Sequence, residues 1–213
     1  MTTPPASVFV RFGWRTIFLS AILGLILASI LSFFEPLKYR SSVRVLITQN
    51  VGVVDAYTAS RSSERLADDM ATLIHTSAFY DEVMSAGFDI RASYFPKDGL
   101  KRRKVWRKTV QPTVVRGTGL LEVDVYHTSV GEAERIARAV AFVLTTRSHQ
   151  FVSASGLSVR LVDEPLNSRF PVKPNIPVNA FTGFVLGALT GVGLVYMNSE
   201  RLKRRHQLIH EEW

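Results

Sequence analysis

Two long apolar segments lie near the two ends of the chain, at residues 14–34 (WRTIFLSAILGLILASILSFF), with one basic residue at its edge, and 178–197 (VNAFTGFVLGALTGVGLVYM), with no charge. A helix needs about 20 apolar residues to cross a bilayer. The first segment is longer than the apolar region of a cleaved signal peptide, which takes about 7–15 residues. The pattern therefore predicts two transmembrane helices, with a folded domain over 35–164 and a proline-rich link over 165–177 between them.

The segment between the two apolar runs has the mixed periodicity of an α+β domain. Alternating apolar and polar residues predict strands, and apolar residues three or four positions apart predict helices. The pattern predicts strands over 41–49, 109–116, 120–127 and 157–163, and helices over 62–75, 77–87 and 129–149. Residues 51–61 are predicted to form a loop, and residues 93–108 the least regular part of the domain.

The predicted order of these elements is β-α-α-β-β-α-β. It matches a split βαβ arrangement, with the helices on one side of a small, mostly antiparallel sheet. The fold class predicted is an α+β membrane protein, in which two transmembrane helices flank a ferredoxin-like βαββαβ extracytoplasmic domain. The sequence Ser129-Val-Gly-Glu132 is further expected to form a capping box at the start of the last domain helix.

The basic residues near the ends predict the orientation in the membrane. The chain carries a net charge of +8. Basic residues flank the apolar segments at Arg11 and Arg15 and again at Arg201, Lys203, Arg204 and Arg205. Cytoplasmic loops are enriched in lysine and arginine. This predicts a multi-pass protein of the inner (plasma) membrane with residues 1–13 and 198–213 in the cytoplasm, and it explains the charge without nucleic acid.

Small residues recur every four positions in both apolar segments: Ser20, Gly24 and Ala28 in the first, and Gly183, Gly187 and Gly191 in the second. An interval of four places them on one helix face, where they let another backbone approach closely. The predicted packing could lie within a subunit, between subunits or with a membrane enzyme. Alternatively, glycine is simply common in membrane helices.

Three prolines recur at intervals of three before the second apolar segment, at Pro171, Pro174 and Pro177. Proline fixes φ and lacks an N–H donor, so this stretch is expected to be extended and close to polyproline II geometry. We expect it to couple the domain to the membrane helix without slack. The alternative is a helix-stopping linker in which the prolines are incidental.

A basic run forms the one unusual cluster of the domain: Lys101, Arg102, Arg103, Lys104, Trp106, Arg107 and Lys108. It could be a solvated face, or it could contact anionic lipid or an acidic glycan, with Trp106 at the interface or stacked on a sugar. In the tail, Arg201, Lys203, Arg204 and Arg205 could contact a cytoplasmic partner in addition to fixing the orientation.

Catalytic motifs are not found in the sequence. The chain has no cysteine, which excludes disulfides and thiolate chemistry. His206 and His210 have the spacing of a metal pair without an HExxH frame, and no serine lies in a GxSxG frame. We therefore expect a protein without cofactor or metal that is not an enzyme.

These features together resemble the polysaccharide co-polymerase family, the Wzz-type chain-length determinants. The resemblance covers nearly the whole chain and is carried by its two end segments and by YRSSVRVLI, ERLADDMATLIHTSAFYDEVM, GEAERIARAVAFVL, VDEPLNSRFPVKPNIP and GFVLGALTG. It implies a non-enzymatic homo-oligomeric ring that regulates the chain length of O-antigen, capsule or exopolysaccharide. Its implied partners are a membrane polysaccharide polymerase and, in some members, a cytoplasmic tyrosine kinase.

The chain departs from that family in two places. It has no room for the long helical protrusion of the larger members, so a minimal version built from the membrane-proximal base is expected. Its tail carries neither a phosphate-binding glycine loop nor a tyrosine cluster, so any kinase would be a separate chain. The alternative function is an extracytoplasmic sensor or an accessory subunit of a membrane transporter, although the short tail offers little cytoplasmic output.

Overall fold

The computed structural model describes residues 6–49, 56–152 and 156–210. It divides into two compact units, which are described separately. One unit holds both ends of the chain, up to Pro36 and from Lys173 onward, and the other is the domain Leu37–Val172. In chain order the helices are α1 (Ala6–Phe33), α2 (Ala56–Leu73), α3 (Ser77–Ser85), α4 (Gly99–Thr109), α5 (Val130–Thr146) and α6 (Ile176–His210), and the strands are β1 (Tyr39–Gln49), β2 (Val110–Val114), β3 (Leu120–His127) and β4 (Leu157–Asn167).

The end unit is a pair of long helices, α1 and α6. Within them, Gly13–Phe33 and Ile176–Glu200 are long and apolar enough to cross a membrane. This agrees with the two predicted apolar segments to within three residues at each end. Backbone hydrogen bonds inside a helix leave no polar main-chain group for lipid to satisfy.

The domain is built on a four-stranded antiparallel sheet in the order β2-β3-β1-β4. The central strand β1 alternates strictly: Val43, Val45 and Ile47 are fully buried, while Arg40 and Arg44 are exposed on the other side. Because successive side chains of a strand point to opposite faces, one face of the sheet packs on helices and the other faces solvent. The predicted α+β class with a mostly antiparallel sheet is confirmed.

The core lies between the sheet and helices α2 and α5. Four apolar residues of α5 at helical spacing are buried there: Ile136, Ala137, Val140 and Leu144. On the side of α2 the buried residues include Leu66, Met70 and, just after the helix, Ile74. The largest buried side chain is Trp106 of α4.

The largest differences from the predicted elements concern α4, α2 and β4. The expected irregular stretch contains helix α4, whose start is capped because the Asp98 carboxylate accepts from the Lys101 N–H at 2.8 Å. Helix α2 begins at Ala56, inside the expected loop, and β4 extends to Asn167. The extension of β4 is explained by its pairing with β1, which reaches Asn167 opposite Ser41.

The predicted capping box at the start of α5 is wrong. Ser129 makes no side-chain cap bond there, and its backbone N–H donates to Nδ1 of His127 at 3.0 Å. Glu132 turns inward instead of back to the helix start, and it is buried. A tertiary partner therefore outcompetes the local motif.

The predicted extended link is wrong at its C-terminal end. Pro177 is the second residue of α6, so it belongs to the helix and not to the link. Proline is well tolerated in the first turn, where the missing N–H would have no helical partner. Pro171 and Pro174 lie in the stretch between β4 and α6.

Candidate functional site: a glycine-packed helix pair and a cationic helix

All six residues of the predicted small-residue faces lie in one contact, between α1 and α6 of the same chain. A Cβ atom built on Gly24 would overlap the carbonyl oxygen of Gly183 and lie 2.9 Å from Cα of Gly187. One built on Gly187 would lie 3.0 Å from Cα of Ala21. The same contact includes Ser20, opposite Gly187 and Gly191, and Ala28, opposite Gly183. Of the three packing partners considered from the sequence, the structure shows the one within the subunit.

A side-chain hydrogen bond accompanies this backbone contact. Asn179 Nδ2 donates to Ser32 Oγ at 2.9 Å, and Ser32 Oγ donates to the Ala28 carbonyl. In lipid, close backbone packing and hydrogen bonds between helices replace the hydrophobic effect as the source of association.

The outer surface of the helix pair is apolar. Its exposed large side chains include Leu19, Leu23, Leu27, Leu31, Phe33, Phe181, Leu186 and Leu189. Soluble proteins rarely expose an apolar surface of this extent. The apolar surface of the helix pair is compatible with contact with the hydrocarbon core of a membrane.

Helix α4 carries the basic run on one side and packs with the other. Trp106 is 1% exposed, and its Nε1 donates to the Ile74 carbonyl at 2.7 Å. Its ring meets Tyr80 and Phe95 edge to face, with centroids 5.2 and 5.8 Å away. The prediction that Trp106 contacts lipid or a sugar is therefore wrong, because the side chain is part of the core.

The six basic residues of α4 divide into two groups. Two of them bind the domain itself: Arg102 lies 4.9 Å over the Tyr80 ring and 4.0 Å from Asp81, and Arg103 donates to Ser77 Oγ at 3.3 Å. The other four are exposed, and none has a carboxylate within 4 Å among the residues that the structure describes: Lys101, Lys104, Arg107 and Lys108. Arg107 also lies near His75, where burial and then its charge lower the histidine pKa.

The structure contains a buried polar cluster that the sequence pattern does not predict. The Glu132 carboxylate accepts from the Arg91 backbone N–H at 3.2 Å and from the Arg135 guanidinium at 2.6 Å. Burial alone would raise the pKa of Glu132, but these donors outweigh it and lower the pKa. Beside it, the His127 ring packs at a tilt against Tyr94, with ring centroids 4.2 Å apart, and burial lowers the pKa of this histidine.

The solvent face of the sheet also carries polar residues that the sequence reading did not single out. Arg40 lies 3.6 Å from Asp124, and Arg44 lies 3.2 Å from Glu122 and 3.5 Å from Asp163. Residues of this face border a shallow depression of about 190 Å³. The alternation of arginine and serine in YRSSVRV contained the signal for it, since every second residue of the strand is polar.

The prolines of the predicted link do not form one site. Pro171, Pro174 and Pro177 do not share one element. Arg201, Lys203, Arg204 and Arg205 lie in the last turns of α6, where the structure does not describe side chains. Within the described ranges, no three histidine, aspartate or glutamate side chains gather to hold a metal ion.

A scan against protein-family models finds no match to the chain, and a search of curated proteins finds none either.

Proposed function

We propose that the chain is a membrane-anchored, non-enzymatic scaffold that regulates the chain length or export of a cell-surface polysaccharide, either O-antigen, capsule or exopolysaccharide. The observation that carries the proposal is the pairing of α1 with α6, which joins the two ends of the chain and leaves the whole α+β domain between them as one insertion. This is the layout expected from the resemblance to the Wzz-type chain-length determinants.

The proposal includes a ferredoxin-like domain. It is supported by the strand order β2-β3-β1-β4, in which β3 lies between β1 and β2, the two strands that α2, α3 and α4 connect. A strand inserted between the two strands of a βαβ unit defines the split arrangement.

The proposal also includes a plasma-membrane location, with both ends in the cytoplasm and the domain outside. It is supported by two helices that are long enough to cross a membrane and by the basic residues near the start of α1 and the end of α6. A separate tyrosine kinase, if the system has one, would meet the basic tail at Arg201, Lys203, Arg204 and Arg205.

In the proposed ring of subunits, the glycine faces are not the contact between subunits. The backbones of α1 and α6 already meet there, at Gly24, Gly187 and Gly191. Neighbouring subunits and the membrane polysaccharide polymerase would therefore use surfaces of the domain or the lipid-facing sides of the helices.

The test is deletion of the gene followed by complementation. We expect the length distribution of the surface polysaccharide, resolved on a gel, to change on deletion and to return with the intact chain. The control is complementation with a chain in which Gly187 is replaced by leucine, which we expect to fail because the two ends no longer pair. An unchanged length distribution in the deletion strain contradicts the proposal.

A further inference from the structure

We propose that the outer face of helix α4 binds anionic lipid headgroups of the bilayer that holds α1 and α6. The inference rests on the membrane anchoring in the proposed function, but not on any role in polysaccharide synthesis. We call this face the α4 cationic face and define it as Leu100, Lys101, Lys104, Arg107 and Lys108.

The positive charge of the domain is concentrated in this one helix. Helix α4 has six basic residues and no acidic one. The rest of the segment Leu37–Val172 has 13 basic and 14 acidic residues, which nearly cancel. A single-sign helix on an otherwise balanced domain creates a directed potential and not a general attraction to polyanions.

The packing of the opposite side of α4 holds this face toward the solvent. Trp106 and Thr109 anchor the opposite side of the helix in the core, and Asp98 caps its start. On the outer side, Lys104 follows Leu100 at i+4, and Arg107 and Lys108 follow it at i+7 and i+8. These are the positions of one helix face. Leu100 is 80% exposed, so an apolar side chain stands beside these exposed cations.

The composition of the face favours lipid over glycan. Proteins commonly bind sugars by stacking them on an aromatic ring, and the only aromatic ring of α4 belongs to the buried Trp106. Lysine and arginine with an exposed leucine match an anionic interface, where each basic residue near the surface adds about 1 kcal/mol and an apolar side chain enters the headgroup boundary.

The chain connections keep the domain within reach of that surface. Five residues separate Phe33 of α1 from Tyr39 of β1, and eight separate Asn167 of β4 from Ile176 of α6. At no more than about 3.5 Å per residue, these links reach roughly 20 and 30 Å. Because the domain is tethered in this way, even a surface that binds lipid weakly meets it at a high effective concentration.

The test uses the full chain in lipid nanodiscs, with one spin label on the α4 cationic face. Because the chain has no cysteine, Leu100→Cys provides a unique attachment site. In discs that contain phosphatidylglycerol, we expect the label to become accessible to membrane-dissolved oxygen and protected from a water-soluble nickel chelate. In discs of phosphatidylcholine alone, and in about 1 M salt, where the Debye length falls to about 3 Å, we expect the label to face water.

A charge variant and a matched control separate this face from general electrostatics. In the Leu100→Cys chain, K104Q/R107Q/K108Q should lower the ratio of lipid-immersed to water-exposed label about 100-fold, at roughly fivefold per charge removed. Removing three exposed arginines elsewhere on the domain, with R65Q/R116Q/R160Q, should leave the ratio unchanged.

Each of the following outcomes contradicts either the lipid contact of α4 or the membrane anchoring on which it rests. Equal protection in both lipids, or an equal loss in the control variant, overturns the proposal. Protection by soluble polygalacturonate in phosphatidylcholine discs, with none from phosphatidylglycerol, overturns it in favour of an acidic glycan. A chain that does not incorporate into discs at all contradicts the membrane anchoring itself, which is a different result from incorporation without lipid contact by α4.

Discussion

The helix pair and the domain pack in opposite ways. Between α1 and α6, small residues such as Gly24 and Gly187 make the contact, and large apolar residues such as Leu23 and Leu186 point outward. In the domain, large residues such as Trp106 fill the interior, and the outer surface carries charges.

The difference matches the two surroundings proposed for these regions, lipid for the helix pair and water for the domain. In water, burying large apolar side chains provides the driving force, at about 25 cal/mol per Å². In lipid a leucine gains nothing by leaving the surface, so close backbone contact and hydrogen bonds decide which faces meet. The inverted pattern of α1 and α6 is therefore evidence for a hydrocarbon environment that is independent of helix length.

The largest expected effect comes from removing the main aromatic side chain of the domain. Trp106→Ala should lower the free energy of unfolding of the domain by about 4 kcal/mol, because it opens a cavity and leaves the Ile74 carbonyl without its donor. Hydrogen exchange of the β1 and β3 amides in the detergent-solubilised chain measures the change.

Trp14→Ala is the matched control, because Trp14 lies on α1 and is 54% exposed. We expect it to change that free energy by less than about 0.5 kcal/mol. Equal effects of the two substitutions would break the contrast between the regions.

The second effect concerns the glycine contact. Gly187→Leu should weaken the α1–α6 contact by about 3 kcal/mol, since the atoms it meets are backbone and cannot move aside. With Ser32→Cys and Asn179→Cys in place of the hydrogen-bonded pair, a short bifunctional thiol reagent should join the helices in high yield, and Gly187→Leu should remove that product.

Gly193→Leu supplies the control in the same helix, because a Cβ atom at Gly193 meets nothing within 4 Å. Cross-linking should persist in this variant. If cross-linking is lost in Gly193→Leu as well, added side-chain volume anywhere on α6 is enough to separate the helices. The assignment of the Gly187 face to the contact is then wrong.

The smallest effect tests the buried carboxylate of the domain. The pKa of Glu132 is below its ordinary 4.5, so its contribution to stability is complete above that pH and disappears as the pH falls through the folded-state pKa. Glu132→Gln should cost about 2 kcal/mol at neutral pH and flatten the acid side of the stability curve.

Glu134 provides the comparison on the same helix, since its side chain is 29% exposed in its ion pair with Arg138. Glu134→Gln should cost less than about 1 kcal/mol. Acid unfolding of the two variants, followed by circular dichroism, distinguishes them. Identical curves would mean that burial of Glu132 does not matter.

The sequence determined the features that depend on local periodicity. An apolar run of about 20 residues is sufficient to predict each end helix, and strict alternation predicts β1 and β3, since each pattern is set by the environment on one or two faces. The small-residue interval of four likewise identified the contacting face of both end helices before any partner was known.

Only the tertiary structure decided which groups meet. Nothing near Trp106 indicates that its N–H reaches Ile74, 32 residues earlier, and Ser129-Val-Gly-Glu132 is locally indistinguishable from a capping box. The partner of the glycine face was equally open, because one stripe fits a helix of the same chain or of another. The physical reason is that burial and pairing are properties of contacts between distant segments, and a local pattern fixes the face that is buried but not the residue that covers it.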